Sequence, residues 1–468
     1  MAIRRHIPLN PCDYLYYAHH EMLRERTGGG NIAYMMIDVA GDIEPARIRR
    51  ALARALAAHP VLLAKLRISR LTGWPYWKLP RDVRLTAARA SDQGHVYEDL
   101  RGAANWRERL DGLCAERYTP QWDLDAGLLV RLEQYALPGD RTRFCVRWPH
   151  LLMDAEGAQW FLTEIGRNDD PDAGDALCRP LAPPDPLAPD DGIIDPLVGR
   201  SLRKRIRLLR RGFSLQDDLK GLSIRPMARD ERAALGSFGV LHRHWDADQV
   251  RAMRACAKQV TPPGPVLYAR YLAACVIRAQ HRLYMEHNLD TDAYLITLPM
   301  RVTLQDALGS PLARRPMPGN YLVSPTLCGL REHADDKQVL GEDILRQLNA
   351  YHEQQGDLAQ WAMAWGASFM RAGIYGFVAF KLSTGFDRLT SGFSCYGEIA
   401  PPFRSIGGAD VVNCWGGGPL ATPPGWNPVF NKFRDRMNFS LTWNRPAISD
   451  GLAGQYAALI EEEVFEAT

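Results

Sequence analysis

The sequence predicts an α/β protein of two lobes, and three observations carry that expectation. Stretches with strand and helix periodicity alternate through both halves of the chain. A segment without periodicity, rich in Pro, Asp, Ala and Gly, separates them between Asp169 and Pro196. A length of 468 residues is also more than one ordinary hydrophobic core organises. The division that follows is 1–175, then 176–215 as linker and basic helix, then 216–468. Hydrophobic residues at 46% and charged residues at 24% are the proportions of a globular chain, and a net charge of +3 gives no overall pull toward nucleic acid.

The chain opens Met1-Ala2-Ile3-Arg4-Arg5-His6 with Pro8 and Pro11 close behind, without the apolar core of a signal peptide. No apolar run approaches membrane-spanning length. The cysteines are dispersed with no C-x-x-C pair, which reads as reduced thiols of a cytoplasmic protein. The first clear helix follows Asp42-Ile43-Glu44-Pro45, with Pro at the first helical position and Ile48, Leu52 and Leu56 on one face. His59-Pro60 ends it, and Val61 to Leu66 is expected to enter a strand. Glu133, Tyr135 and the segment from Arg141 to Trp148 read as paired strands around a Pro138-Gly139-Asp140 turn. In the second half, Val250, Met253 and Cys256-Ala257 recur at helical spacing, and a longer apolar helix runs from Val266 to about Tyr284. Tyr294 to Leu298 and Asn438 to Trp443 are strand candidates.

The stretch from Pro149 to Gly157 joins a strand to a helix. Phe144, Val146 and Trp148 alternate with polar neighbours before it, and Ala158, Phe161, Leu162 and Ile165 follow at helical spacing. His150 at this junction carries a ring that moves protons near neutral pH. Asp154 is placed to fix the turn or cap the helix, or, read as a triad acid, to orient His150. Glu156 reads as a solvated acid at the helix start.

His19-His20 are adjacent and cannot share a helical face, so no metal site is expected there. No H-E-x-x-H, Walker A or dinucleotide fingerprint appears. Gly28-Gly29-Gly30 follows no strand and reads as a loop. The run Arg200, Arg203, Lys204, Arg205, Arg207, Arg210 and Arg211, with Leu202, Ile206 and Leu209 on one face, makes a cationic amphipathic helix over 200–211. Its readings are contact with an anionic membrane, docking of an acidic acyl carrier protein, or a solvated helix between lobes.

Several segments, in order along the chain, resemble one superfamily. Pro149-His150-Leu151-Leu152-Met153-Asp154-Ala155 is similar to the His-His-x-x-x-Asp-Gly signature of acyltransferases typified by chloramphenicol acetyltransferase, nonribosomal-peptide condensation domains, wax-ester synthases and polyketide-associated acyltransferases. Pro149 stands where that signature has its first histidine, and Ala155 where it has glycine. Pro11-Cys12-Asp13-Tyr14 resembles the family's opening segment. The helix ending His59-Pro60-Val61-Leu62 and the entry stretch Trp122 to Arg131 resemble further family segments. So do Leu298-Pro299-Met300-Arg301 with Gly319-Asn320, and Ser394-Cys395-Tyr396-Gly397.

The resemblance implies two chloramphenicol-acetyltransferase-like lobes set as a V with a tunnel between them. It implies transfer of an acyl group from acyl-CoA or a phosphopantetheine-bound thioester on an acyl carrier protein to an alcohol or amine. His150 would be the general base, with no cofactor, no metal and no acyl-enzyme. Asp154 would turn away from His150 and pair with Arg301, holding the loop in shape. Gly157, Asn320, Ser394 and Tyr396 are the candidates for the oxyanion or the tunnel lining. The competing class is a non-catalytic module that holds an acyl or peptidyl carrier protein.

Overall fold

The computed structural model describes residues 6–466, apart from 28–29, 72, 119–121, 168–200, 216, 229–236, 265, 302–318, 368–369, 371–387, 400–403 and 419–422. The first half begins with β1 (His6–Pro8), α1 (Pro11–Thr27), β2 (Ile32–Ala40) and α2 (Pro45–Ala58). It continues through β3 (Lys65–Ile68), β4 (Pro75–Lys78), α3 (Val83–Gly94), β5 (His95–Asp99) and α4 (Trp106–Tyr118). β6 (Arg131–Leu137), β7 (Arg141–Pro149) and α5 (Ala155–Arg167) complete it. The second half opens with α6 (Leu202–Ser214), β8 (Phe238–Trp245), α7 (Ala247–Val260) and α8 (Leu267–Glu286). Next come β9 (Ala293–Thr297), β10 (Met300–Arg301), β11 (Leu322–Val323), β12 (Thr326–Leu330), α9 (Lys337–Glu353) and α10 (Gly356–Ala367). The chain closes with β13 (Ser394–Glu398), β14 (Ser405–Ile406), β15 (Ala409–Gly417), β16 (Trp426–Phe433), β17 (Arg436–Asn444) and α11 (Asp450–Phe465).

Two sheets organise these elements, one in the order β14-β15-β2-β7-β6-β5 and one in the order β13-β16-β17-β8. In the first, β2 pairs with β7 on one side and β15 on the other. Both faces of β2 are covered. Met35, Ile37 and Val39 join one apolar cluster, and Tyr34 and Met36 join another, which is why this central strand is nearly continuous in apolar residues. β14 and β15 come from residues 405–417, so this sheet is built across the 175/216 division read from the sequence. A separate core in the second half packs α8 against α7, α9 and α11, over β9, β16 and β17.

Most sequence expectations for individual elements hold. α2 begins with Pro45 in its first turn and buries Ile48, Leu52 and Leu56. β6 and β7 pair antiparallel around Pro138-Gly139-Asp140, where Gly139 and Asp140 take positive φ. α7 buries Val250, Met253, Cys256 and Ala257, and α8, β9 and β17 form where expected. One reading is corrected, and one helix goes unread. Val61 to Leu63 is not strand. Pro60, with its preset φ, starts a short 3₁₀ turn that buries Leu62 and Leu63, and the strand begins only at Lys65. α1 had no helical reading because it buries residues all around its axis, from Cys12 and Tyr14 to His19, His20 and Leu23, and leaves no amphipathic stripe. The linker at 169–196 lies outside the described residues.

Candidate active site

β7 ends at Pro149, paired with Ile32, and the chain turns through 150–153 into α5. Trp148 closes this turn by donating its indole N–H to the Met153 carbonyl at 2.8 Å. The His150 amide donates to the Asn31 carbonyl at 2.8 Å. Ala158, Phe161, Leu162 and Ile165 are fully buried behind the loop, so α5 fixes it to the core.

Asp154 caps α5. Its Oδ1 accepts from the Gly157 amide at 2.8 Å, and its main-chain carbonyl receives the Ala158 amide at 2.9 Å. Its Oδ2 accepts from the Tyr321 amide at 3.2 Å, and its own amide donates to the Gly319 carbonyl at 2.9 Å. Asn320 lies between these contacts and donates its side-chain amide to the His150 carbonyl at 2.8 Å. Gly157 makes the approach possible, since a Cβ there would stand 3.0 Å from the Gly319 nitrogen and oxygen. The His150 loop is thus bound by backbone and amide hydrogen bonds to a segment more than 160 residues away. Arg301 lies on β10, opposite Leu322 of β11; its side chain, and with it the expected pairing to Asp154, lies outside the described residues.

The His150 ring stacks on Tyr16, with centroids 4.3 Å apart and planes 24° from parallel. No described group hydrogen-bonds the buried Nδ1. That leaves Nε2 to meet the cavity that His150 borders. Burial lowers the pKa of the ring, opposed by its own carbonyl and by the Asp154 carboxylate. The position ahead of a helix N-terminus acts in the same direction as burial. The result is a neutral imidazole at neutral pH. Tyr16 keeps its proton, because burial raises its pKa, and the nearby Cys12 and Asp154 add to the rise.

The cavity has a volume of about 940 Å³ and is lined from both halves of the chain. Tyr16, Asn31, Tyr34 and His150 border it from the first half, and Ser394, Tyr396 and residues of α6, α9 and α10 from the second. The sequence candidates divide here. Ser394 borders the cavity and its hydroxyl has no hydrogen-bond partner among the described residues. Tyr396 also borders it, but its hydroxyl donates to Asn431 Oδ1 at 3.2 Å. Gly157 and Asn320 are corrected as oxyanion donors. The Gly157 N–H is held by Asp154, and fully buried Asn320 pins the His150 carbonyl. Tyr16 and Asn31 were missed. The only local signal was the spacing of Cys12, Tyr16 and His19 along one helix face, all three of which border the cavity.

No protein-family model matches the chain, and no curated protein matches it in sequence. Solved structures do match over nearly its whole length. The first condensation domain of the calcium-dependent antibiotic synthetase, in complex with a substrate analogue, is 14% identical with a TM-score of 0.69, over 99% of this chain and 98% of that one. TRI3 trichothecene 15-O-acetyltransferase from Fusarium sporotrichioides is 11% identical with a TM-score of 0.69, over 98% and 96%. The epimerization domain from the third module of tyrocidine synthetase B is 14% identical with a TM-score of 0.63, over 98% and 95%. The chain has the chloramphenicol-acetyltransferase-like fold of condensation domains.

Proposed function

We propose that the protein is an acyltransferase, moving an acyl group from a thioester to an alcohol or amine with His150 as general base. The observation that carries this reading is the His150 ring, stacked on Tyr16 and bordering a cavity of about 940 Å³ lined from both halves of the chain. That space is at the upper end of small-molecule sites and suits two substrates at once. Nε2 takes the proton of the acceptor hydroxyl or amine as its oxygen or nitrogen attacks the thioester carbonyl. The tetrahedral oxyanion collapses, the C–S bond breaks, and the imidazolium returns the proton to the leaving thiolate. Ser394, which borders the same cavity, would donate to the oxyanion. Direct transfer is supported by the state of Cys328 on the wall, for burial pushes its thiol up to about 11.

The donor is acyl-CoA or an acylated carrier protein, and the reaction needs no further cofactor. The matches to condensation domains and to an acetyltransferase support the reading at the level of fold. Among the described residues the cysteines are free thiols, which fits a reducing, cytoplasmic compartment. The test is mass spectrometry of the protein incubated with acyl-CoA or acylated carrier protein and a pool of alcohols and amines. An ester or amide that forms with the native chain and is lost in His150→Ala is expected. A stable carrier complex without turnover contradicts the proposal and favours the binding module.

A further inference from the structure

The cationic helix α6 is part of the cavity wall. It packs on α10, with Leu208 and Gly212 buried in the contact and Arg205 5.0 Å over the Trp365 ring. Leu209, Gly212 and Phe213 border the cavity. The outer side is different. Leu202, Ile206 and Phe213 are 63%, 40% and 48% exposed, three of the ten large apolar side chains that stand in solvent among the described residues. At the α-helical repeat, residues 202, 206, 209 and 213 fall within about 60° of arc. This stripe runs beside the face packed on α10, and the cations Arg203, Arg207, Arg210 and Arg211 cover the next sector round. α6 carries no acidic residue.

From this arrangement we infer that α6 lies on an anionic membrane surface, with the cavity opening beside it for an amphiphilic substrate taken from the bilayer. Charges alone would serve an acidic protein partner. An aliphatic stripe in solvent, flanked by arginines, instead matches a helix lying in the headgroup boundary, where apolar side chains enter lipid and cations meet phosphates. Leu209 and Phe213 belong both to that stripe and to the cavity wall, so a chain leaving the lipid passes from one apolar surface to the next. No described helix is long and apolar enough to cross a membrane, so the contact is peripheral. The substrate class, a long-chain acyl donor or acceptor, rests on the acyltransferase reading; the membrane contact does not.

The full chain is floated with vesicles of phosphatidylcholine, with or without phosphatidylglycerol as an anionic third. Flotation with the anionic vesicles only, lost at high salt, is expected. Each of Arg203→Gln, Arg207→Gln and Arg210→Gln should weaken it about fivefold. Leu202→Ser/Ile206→Ser should abolish flotation with thermal melting unchanged. That pair should also slow turnover of a vesicle-embedded long-chain alcohol while leaving a short water-soluble alcohol unaffected. Absence of flotation, equal flotation with neutral vesicles, or undiminished flotation of the Leu202→Ser/Ile206→Ser variant overturns the inference. So does an acidic carrier protein that binds through the same arginines while vesicles do not. Flotation without thioester turnover would contradict the proposed chemistry alone, and turnover of soluble substrates without flotation the membrane contact alone.

Discussion

Two parts of the cavity wall are built by opposite means. The His150 loop is held by directional bonds: Asp154 receives two amides through its side chain and gives its own to Gly319, while Asn320 holds the His150 carbonyl. The α6–α10 wall is held by close packing, with Gly212 set against Met363 and Ala359. A network of buried hydrogen bonds fixes atoms to fractions of an ångström but fails as a unit when one member is removed. A packed helix pair gives way gradually and can leave its outer face unpartnered. The difference matches the work each part does, the one fixing a reacting atom and the other bounding space.

The largest effect is expected where the directional network is cut. Asp154→Ala removes the α5 cap and leaves the Tyr321 amide without its acceptor, a loss of about 2–4 kcal/mol. Thermal melting should drop clearly and turnover should fall with it. Asp154→Asn keeps an acceptor for the Gly157 amide and should recover part of the melting temperature. If Asp154→Ala melts like the native chain while losing activity, Asp154 takes part in the chemistry and the anchoring account is wrong.

On the packed wall, Gly212→Leu should be milder. A Cβ at Gly212 would stand 2.9 Å from the Ala359 carbonyl oxygen and collide with Met363, so the helices must part. Overpacking of this kind costs about 1–3 kcal/mol, and KM for a long-chain substrate should rise more than kcat falls. An equal fall in kcat for short and long chains would show that α6 acts on the reacting centre and erase the contrast. The smallest effect is expected at the contact between the reacting ring and its neighbour. Tyr16→Leu removes a stacked pair worth about 1 kcal/mol, and kcat should fall about fivefold with melting lowered by only a few degrees.

The sequence read the loop well and its surroundings poorly, for a physical reason. β7 and α5 announce themselves through local periodicity, so the position of His150 between strand and helix could be read from some twenty consecutive residues. The bonds that hold Asp154 connect residues far apart in the chain, and no local pattern encodes which amide will face which carboxylate. Gly319-Asn320 was recognised as a pair, yet only the fold shows Asn320 pinning the His150 carbonyl instead of facing an oxyanion. β15 pairs with β2 across 370 residues of chain or more, a contact that no local pattern announces. Tyr16 was hidden for a different reason, since α1 is buried on all sides and offers no periodic stripe.

The central claim is that His150 acts as a neutral base, and the pH dependence of kcat/KM for thioester consumption tests it most directly. A base must be unprotonated, and burial lowers the pKa of this ring below its ordinary 6.5. Activity should therefore stay level as pH falls through neutrality and decline only below 6.5, as the ring takes up a proton. His150→Ala should lose about 10²- to 10⁴-fold at pH 7 and show no such limb in its residual rate. An acid limb centred above 6.5, or the same limb surviving in His150→Ala, would contradict the account.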